Sequence, residues 1–121
     1  MNFSRGSIMY NTNKKTKQNK TVNVLGTEYK IVFDMDGTIL PKEIVARCDT
    51  CTKTIYSTPF EDEHTHRLNY LRHELIHAFF YESGLNEYYQ DERLTDWIAM
   101  QFPKLARAIQ RTELDIFGTN H

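Results

Sequence analysis

The segment His73-Glu74-Leu75-Ile76-His77 constrains this chain more than any other short stretch of its sequence. Apolar residues recur around it at steps of three and four, which predicts one long helix with an apolar stripe toward the core; they are Leu68, Leu71, Leu75 and Phe79. His73 and His77 are one helical turn apart, so both imidazoles leave the same side of that helix. The spacing therefore predicts a helix that can bind one cation.

Glu74 follows the first histidine by about 100° around the helix axis, which keeps its carboxylate off the metal but near a water bound there. A catalytic zinc site usually takes three protein ligands. A second predicted helix offers Glu92, the better third ligand, and Asp96, which could accept the free ring N–H of a ligating histidine. Three other acids remain as rival ligands: Glu82, Glu87 and Asp91.

Short β-type segments come before all of the helical ones. Val22 to Phe33 reads as two strands around a tight turn, Ile44-Val45 as another short strand, and Thr52 to Ser57 as a further one. Strands first and helices after predict an α+β fold rather than alternating β and α units.

Three helices are predicted in the second half of the chain. The first opens on a capping box, Thr58-Pro59-Phe60-Glu61, and ends at Ser83-Gly84. The second runs from about Tyr89 to Phe102, and Pro103 ends it or begins the third, from about Lys104 to Phe117. The expected domain is a short antiparallel sheet followed by the metal-site helix and two further helices.

Charge divides the chain into two parts. Residues 1–20 carry a net charge of +5 and few core-forming residues, whereas residues 21–121 carry −6. We interpret residues 1–20 as a flexible basic arm and residues 21–121 as the folded domain. No apolar run can span a bilayer, no signal peptide is evident, and two cysteines make no disulfide framework. These features favour a cytoplasmic protein with neither a membrane nor nucleic acid as partner.

Two segments together resemble the ImmA/IrrE family of metallo-endopeptidases, which is common in bacteria, phages and mobile elements. They are His73 to His77 and Glu92 to Ala99, the latter followed by Phe102-Pro103. Thr54 to Ser57 is also similar to that family's edge strand. The resemblance implies a zincin-like domain in which His73, His77 and Glu92 bind Zn²⁺ and Glu74 is the general base. It also implies limited cleavage of a specific protein, often a DNA-binding repressor.

We therefore expect a zinc-dependent endopeptidase, a hydrolase that acts on a protein or peptide through a metal-bound water and Glu74. A non-catalytic zinc-binding interaction module is the first alternative. Five aromatic or imidazole side chains are candidates to stabilise an oxyanion, and the sequence does not choose among them; they are His66, Tyr70, Tyr81, Tyr88 and Tyr89. An extended substrate is expected to pair with the strand at Thr54 to Ser57.

A second motif competes with the first. The apolar strand that ends in Asp34-Met35-Asp36-Gly37-Thr38 resembles the first motif of haloacid-dehalogenase-like phosphatases, which would make Asp34 a nucleophile and Asp36 a general acid beside Mg²⁺. The same residues also readily form an Asp-Gly turn after a strand. Cys48 and Cys51 could form half of a zinc ribbon, but the chain has no second pair, so reduced thiols are expected.

Overall fold

The computed structural model describes residues 19–59 and 65–118 of the chain. Four strands precede three helices: β1 (Lys20–Val24), β2 (Thr27–Phe33), β3 (Ala46–Asp49), β4 (Thr54–Ser57), α1 (Thr65–Glu82), α2 (Asn86–Tyr89) and α3 (Glu92–Arg111). The predicted α+β class, with strands before helices, is confirmed. Of the basic arm predicted for residues 1–20, residues 1–18 lie outside the described residues, and Lys20 is the first residue of β1.

The predicted pair of strands around a tight turn is the hairpin of β1 and β2. Leu25 and Gly26 occupy the turn with φ values of 53° and 94°, as a two-residue hairpin turn with a right-handed twist requires. The Asn23 side chain accepts a hydrogen bond from the Gly26 N–H at 2.9 Å. This turn sets the register that pairs Val24 with Thr27 and Val22 with Tyr29.

The sheet is mixed, and the expected antiparallel sheet is wrong on this point. The strand order is β1-β2-β4-β3, with β1–β2 and β3–β4 antiparallel but β2–β4 parallel. The chain leaves β2, forms the outer strand β3, and then turns back so that β4 inserts between them. Ile44 and Val45 precede β3 rather than forming a strand of their own. Among the described strands, β3 and β1 are therefore the edges.

The core lies between one face of the sheet and α1. Alternate strand residues point toward the helix and are at most 8% exposed; they include Val24, Tyr29, Ile31, Phe33 and Ile55. From α1, Ala78 is fully buried against them and Leu71 and Leu75 pack beside it. The apolar stripe predicted for this helix is therefore confirmed at Leu71 and Leu75, whereas Phe79 is 41% exposed.

The C-terminal end of α1 lies where the sequence predicts it. Gly84 has a φ of 82°, its N–H donates to Tyr81 O, and the Leu85 N–H donates to Phe80 O. This pair of bonds is the Schellman arrangement, which needs a residue that tolerates positive φ. The predicted capping box at the other end depends on Phe60 and Glu61, which lie outside the described residues.

The last two predicted helices are one continuous helix, so the break expected at Pro103 is wrong. α3 contains Pro103 and ends at Arg111, short of the predicted Phe117. Proline lacks an N–H, so it leaves the carbonyl four residues earlier, that of Ala99, without its usual helical donor. Arg72 of α1 supplies a donor instead: its Nε donates to Ala99 O at 2.9 Å. A contact distant in sequence thus compensates for the local defect.

Candidate metal centre

His73 and His77 lie on successive turns of α1, and the structure places both imidazoles on the side that faces α3. The Nε2 atoms of His73 and His77 are 3.1 Å apart, and their ring centroids are 4.7 Å apart at an interplanar angle of 74°. The two side chains are only 14% and 9% exposed. Burial holds both rings against the protein and directs their nitrogens to one point.

The first turn of α3 brings Glu92 to that point. Its Oε1 atom lies 2.7 Å from His73 Nε2 and 3.2 Å from His77 Nε2. The preceding residue, Asp91, is the N-cap of α3 and accepts a hydrogen bond from the Leu94 N–H at 3.0 Å. This cap fixes where the helix begins and so where Glu92 points. His73, His77 and Glu92 form a group that could hold a metal ion.

Partners at the outer ring nitrogens favour the tautomer in which the inner ones can act as ligands. His77 Nδ1 donates to the Tyr89 carbonyl oxygen at 2.6 Å, so Nε2 carries the lone pair of the neutral ring. Asp96 Oδ1 lies 3.6 Å from His73 Nδ1, beyond hydrogen-bond distance but on the side predicted for it. A cation would bind the two Nε2 lone pairs and the Glu92 oxygen, whereas without one the short contacts from Nε2 to Glu92 need an Nε2–H donor.

The spacing of these three atoms fits a small tetrahedral site. In such a zinc site, with bonds of about 2.0–2.1 Å, neighbouring ligand atoms are roughly 3.3 Å apart. The three observed separations are 2.7, 3.1 and 3.2 Å. The Glu92 side chain is 70% exposed, so the site is open on one side, as a catalytic site with a fourth position would be.

The pKa of the Glu92 carboxyl reflects this neighbourhood. Burial alone would raise it, but the hydrogen bonds with His73 and His77, and the charges of these groups, lower the pKa below its usual value. The carboxylate is therefore ionised near neutral pH, as a ligand oxygen must be.

Glu74 lines a cleft of about 340 Å³ next to the three ligands. The cleft is bounded on one side by Ala46, Arg47 and Cys48 of strand β3 and on the other by Tyr89. Burial raises the pKa of Glu74 to about 7, with His77 opposing the rise and Glu92 adding to it. The nearby Cys48 backbone N–H also opposes the rise in the pKa of Glu74. A carboxyl with a pKa near neutrality is suited to both accept and return a proton.

A second recess of about 270 Å³ lies across Glu74 from the first and contains Tyr70, His73 and Asp96. Of the tyrosines considered from sequence, Tyr70 and Tyr89 line the two recesses. Tyr81 instead lies beneath the Lys53 ammonium, 4.9 Å from its ring centroid. The side chain of the fifth candidate, His66, lies outside the described residues.

Two of the three rival ligands are engaged elsewhere. Asp91 caps α3. Glu82 accepts hydrogen bonds from Lys53 Nζ at 2.7 Å and Tyr29 Oη at 2.7 Å, and these bonds tie the end of α1 to the sheet. Glu87 lies in the short helix α2 and is exposed.

The competing aspartate motif forms a self-contained loop. The buried Asp34 carboxylate accepts hydrogen bonds from the N–H groups of Thr38, Ile39 and Leu40 at 2.9–3.2 Å. These bonds, the one from Leu40 foremost, lower the pKa of Asp34 below its usual range. Asp36 accepts from Thr38 Oγ1 at 2.8 Å. Both oxygens of Asp34 therefore face backbone donors, which supports the reading of this segment as a turn.

The edge strand differs from the one expected. Thr54 to Ser57, which was expected to be an edge, is β4, hydrogen-bonded between β2 and β3. The strand that borders the metal centre is β3, which sequence reasoning did not connect with the site because its four residues, Ala-Arg-Cys-Asp, carry almost no β pattern. Cys48 and Cys51 are both free thiols, and burial raises the pKa of Cys48 to about 12.

Comparison with known proteins finds no family model, no characterised protein and no solved structure that matches this chain. The resemblance to the ImmA/IrrE family therefore stays a prediction from its residues. Within residues 19–59 and 65–118, no helix is both long enough and apolar enough to span a membrane.

Proposed function

We propose that this chain is a zinc-dependent endopeptidase with a zincin-like arrangement of its metal site. One observation carries the proposal: the ligand atoms of His73, His77 and Glu92 converge within 2.7–3.2 Å of one another next to Glu74, in a cleft bordered by an edge strand. The elements required for hydrolysis of an extended chain thus lie together.

The chemistry divides between the metal and the protein. Zinc, when bound, supplies a Lewis acid and lowers the pKa of a water molecule. Glu74 accepts the proton of the attacking water and later passes it to the leaving amine, a role that suits its position and its pKa of about 7. The Tyr89 carbonyl holds the His77 ring through Nδ1, and the Asp96 carboxylate lies 3.6 Å from His73 Nδ1.

Strand β3 provides a template for the substrate. The Thr58 N–H donates to Val45 O, so in the antiparallel pairing of β3 with β4 the backbone groups of Ala46 and Cys48 alternate away from β4. They point toward the cleft and toward the side of β3 on which no described strand pairs. An extended peptide that pairs with this edge would lie across Glu74 and the three ligands. A folded protein with an accessible extended loop is the expected substrate class, and a DNA-binding repressor is the candidate that the family resemblance suggests.

The decisive experiment is co-expression of the full chain with candidate proteins from the same genome, with cleavage fragments identified by mass spectrometry. Glu74→Gln should retain zinc and yield no fragments. Glu28→Gln, at an exposed position of β2, is the matched control and should cleave like the wild type. Fragments that persist in Glu74→Gln would refute the general-base role. Stoichiometric zinc without fragments in any variant would favour the non-catalytic zinc-binding module.

A further inference from the structure

Helix α3 lacks one backbone hydrogen bond in the region that packs against α1. Pro103 lies inside the helix and has no N–H, so the carbonyl of Ala99 lacks its donor from the next turn. Ala99 is 0% exposed. An unpaired buried carbonyl is costly, and at this position water cannot easily replace the missing donor.

Arg72 of the neighbouring helix supplies the missing hydrogen-bond donor. Its Nε atom donates to Ala99 O at 2.9 Å, and its Nη2 atom donates to Asn69 Oδ1 at 3.2 Å. The second bond orients the guanidinium within its own helix. The first bond therefore joins a fixed point on α1 to a fixed point on α3.

The point on α1 lies beside a metal ligand, and the point on α3 lies about two turns beyond Glu92. On α1, Arg72 immediately precedes His73. On α3, Glu92, Asp96 and Ala99 are spaced by four and three residues, so they share the face that meets α1. That face contacts His73 through Glu92 and Asp96 at one end and Arg72 through Ala99 at the other. The register that satisfies the Ala99 carbonyl is thus also the register that brings Glu92 to the histidines.

We infer that Arg72 is a positioning residue for the metal centre, and that it has this role because Pro103 removes a helical hydrogen bond to the Ala99 carbonyl. The missing N–H at Pro103 leaves the Ala99 carbonyl free to accept from Arg72, and this bond sets the position of α3 before any metal binds. Glu92 is then already positioned as a ligand before the metal binds. The inference rests on the proposed metal site but not on peptidase activity.

The test is a double-mutant cycle read by Co²⁺ titration of the metal-free full chain. Arg72→Met keeps the apolar stem and removes the donor, and it should weaken Co²⁺ binding about tenfold, as loss of a supporting contact behind metal ligands typically does. Pro103→Ala restores an N–H for Ala99 and should bind like the wild type. In the Pro103→Ala background, Arg72→Met should weaken Co²⁺ binding less than about twofold, because the helix then supplies its own N–H donor to the Ala99 carbonyl. The visible absorption of tetrahedral Co²⁺ should change only in the single Arg72 variant.

Three outcomes would overturn the inference. They are an equal loss of affinity in both backgrounds, no loss in the wild-type background, and an unchanged cobalt spectrum despite weaker binding. Arg72→Lys retains a donor and should give an intermediate loss; it replaces the methionine variant in the same comparison if that variant does not fold. A wild-type chain that takes up no Co²⁺ refutes the metal site itself, which separates that failure from failure of the Arg72 role.

Discussion

Replacing Glu74 by glutamine should stabilise the metal-free protein while it abolishes hydrolysis. Burial raises the pKa of Glu74 from 4.5 to about 7, so the folded state holds a proton that the unfolded state has released between these pH values. Stability is therefore lost as the pH rises through this window. At pH 8 the ionised carboxylate destabilises the fold by roughly 3 kcal/mol, and at pH 5 by less than about 1 kcal/mol.

Urea denaturation in the presence of a chelator measures this effect. Glutamine keeps the shape of the side chain but carries no charge. At pH 8 the variant should gain roughly 2–3 kcal/mol in the free energy of unfolding, which moves the urea midpoint by about 1–2 M. At pH 5 the two proteins should nearly coincide. The difference between their free energies of unfolding removes the contribution of every titratable group that both proteins contain.

Glu82→Gln on the same helix is the control of opposite sign. Glu82 accepts hydrogen bonds from Lys53, Tyr29 and Thr27, and these bonds, that from Lys53 foremost, lower its pKa below 4.5. Its stabilising effect is present above pH 4.5 and is lost only as the pH falls through the lower, folded-state pKa, so this variant should be less stable at both pH 5 and pH 8. The assignment of a buried carboxyl with a raised pKa would be wrong in either of two cases. In one, Glu74→Gln is no more stable than the wild type at pH 8; in the other, it gains the same free energy of unfolding at both pH values.

Three further predictions follow from other contacts. His77→Ala should reduce bound zinc, measured by elemental analysis after purification without added metal, from about one ion per chain to near zero; undiminished zinc would refute its role as a ligand. Asp96→Asn should weaken zinc binding about tenfold in competition with a chromophoric chelator, because an amide holds the Nδ1 proton of His73 less strongly than a carboxylate does; unchanged affinity would remove Asp96 from the site. Asp34→Asn should lower the thermal midpoint, because three backbone N–H groups lose a charged acceptor. If the wild type hydrolysed a phosphate ester with Mg²⁺ and Asp34→Asn did not, the phosphatase reading would return.

Local patterns in the sequence predicted most of what lies around α1. The spacing of His73 and His77 and the glycine after Ser83 are rules of one helix, and neither needs tertiary information. Glu92 was harder, because it required two helices to meet, yet its spacing of four residues from Asp96 on one predicted helix was a usable signal. The structure brings the three residues together.

The sequence could not predict features that depend on partners distant in the chain. A proline such as Pro103 usually ends a helix, but α3 continues through it, and the side chain of Arg72 on another helix supplies a donor to the Ala99 carbonyl. The parallel pairing of β2 with β4 places β3 rather than β4 at the edge. β3 is short and weakly patterned, so its place beside Glu74 follows from topology and not from its own residues.

Among the described strands, the edge at β3 also bears on the risk of aggregation. A strand edge that can accept a peptide can equally accept the edge of another copy, and such edges are a common start of aggregation. Here β3 is only four residues long, and the acidic side chain of Glu74 lies near the Cys48 N–H. Helix α1 thus places an acidic group beside this edge, which disfavours pairing of a second copy along β3.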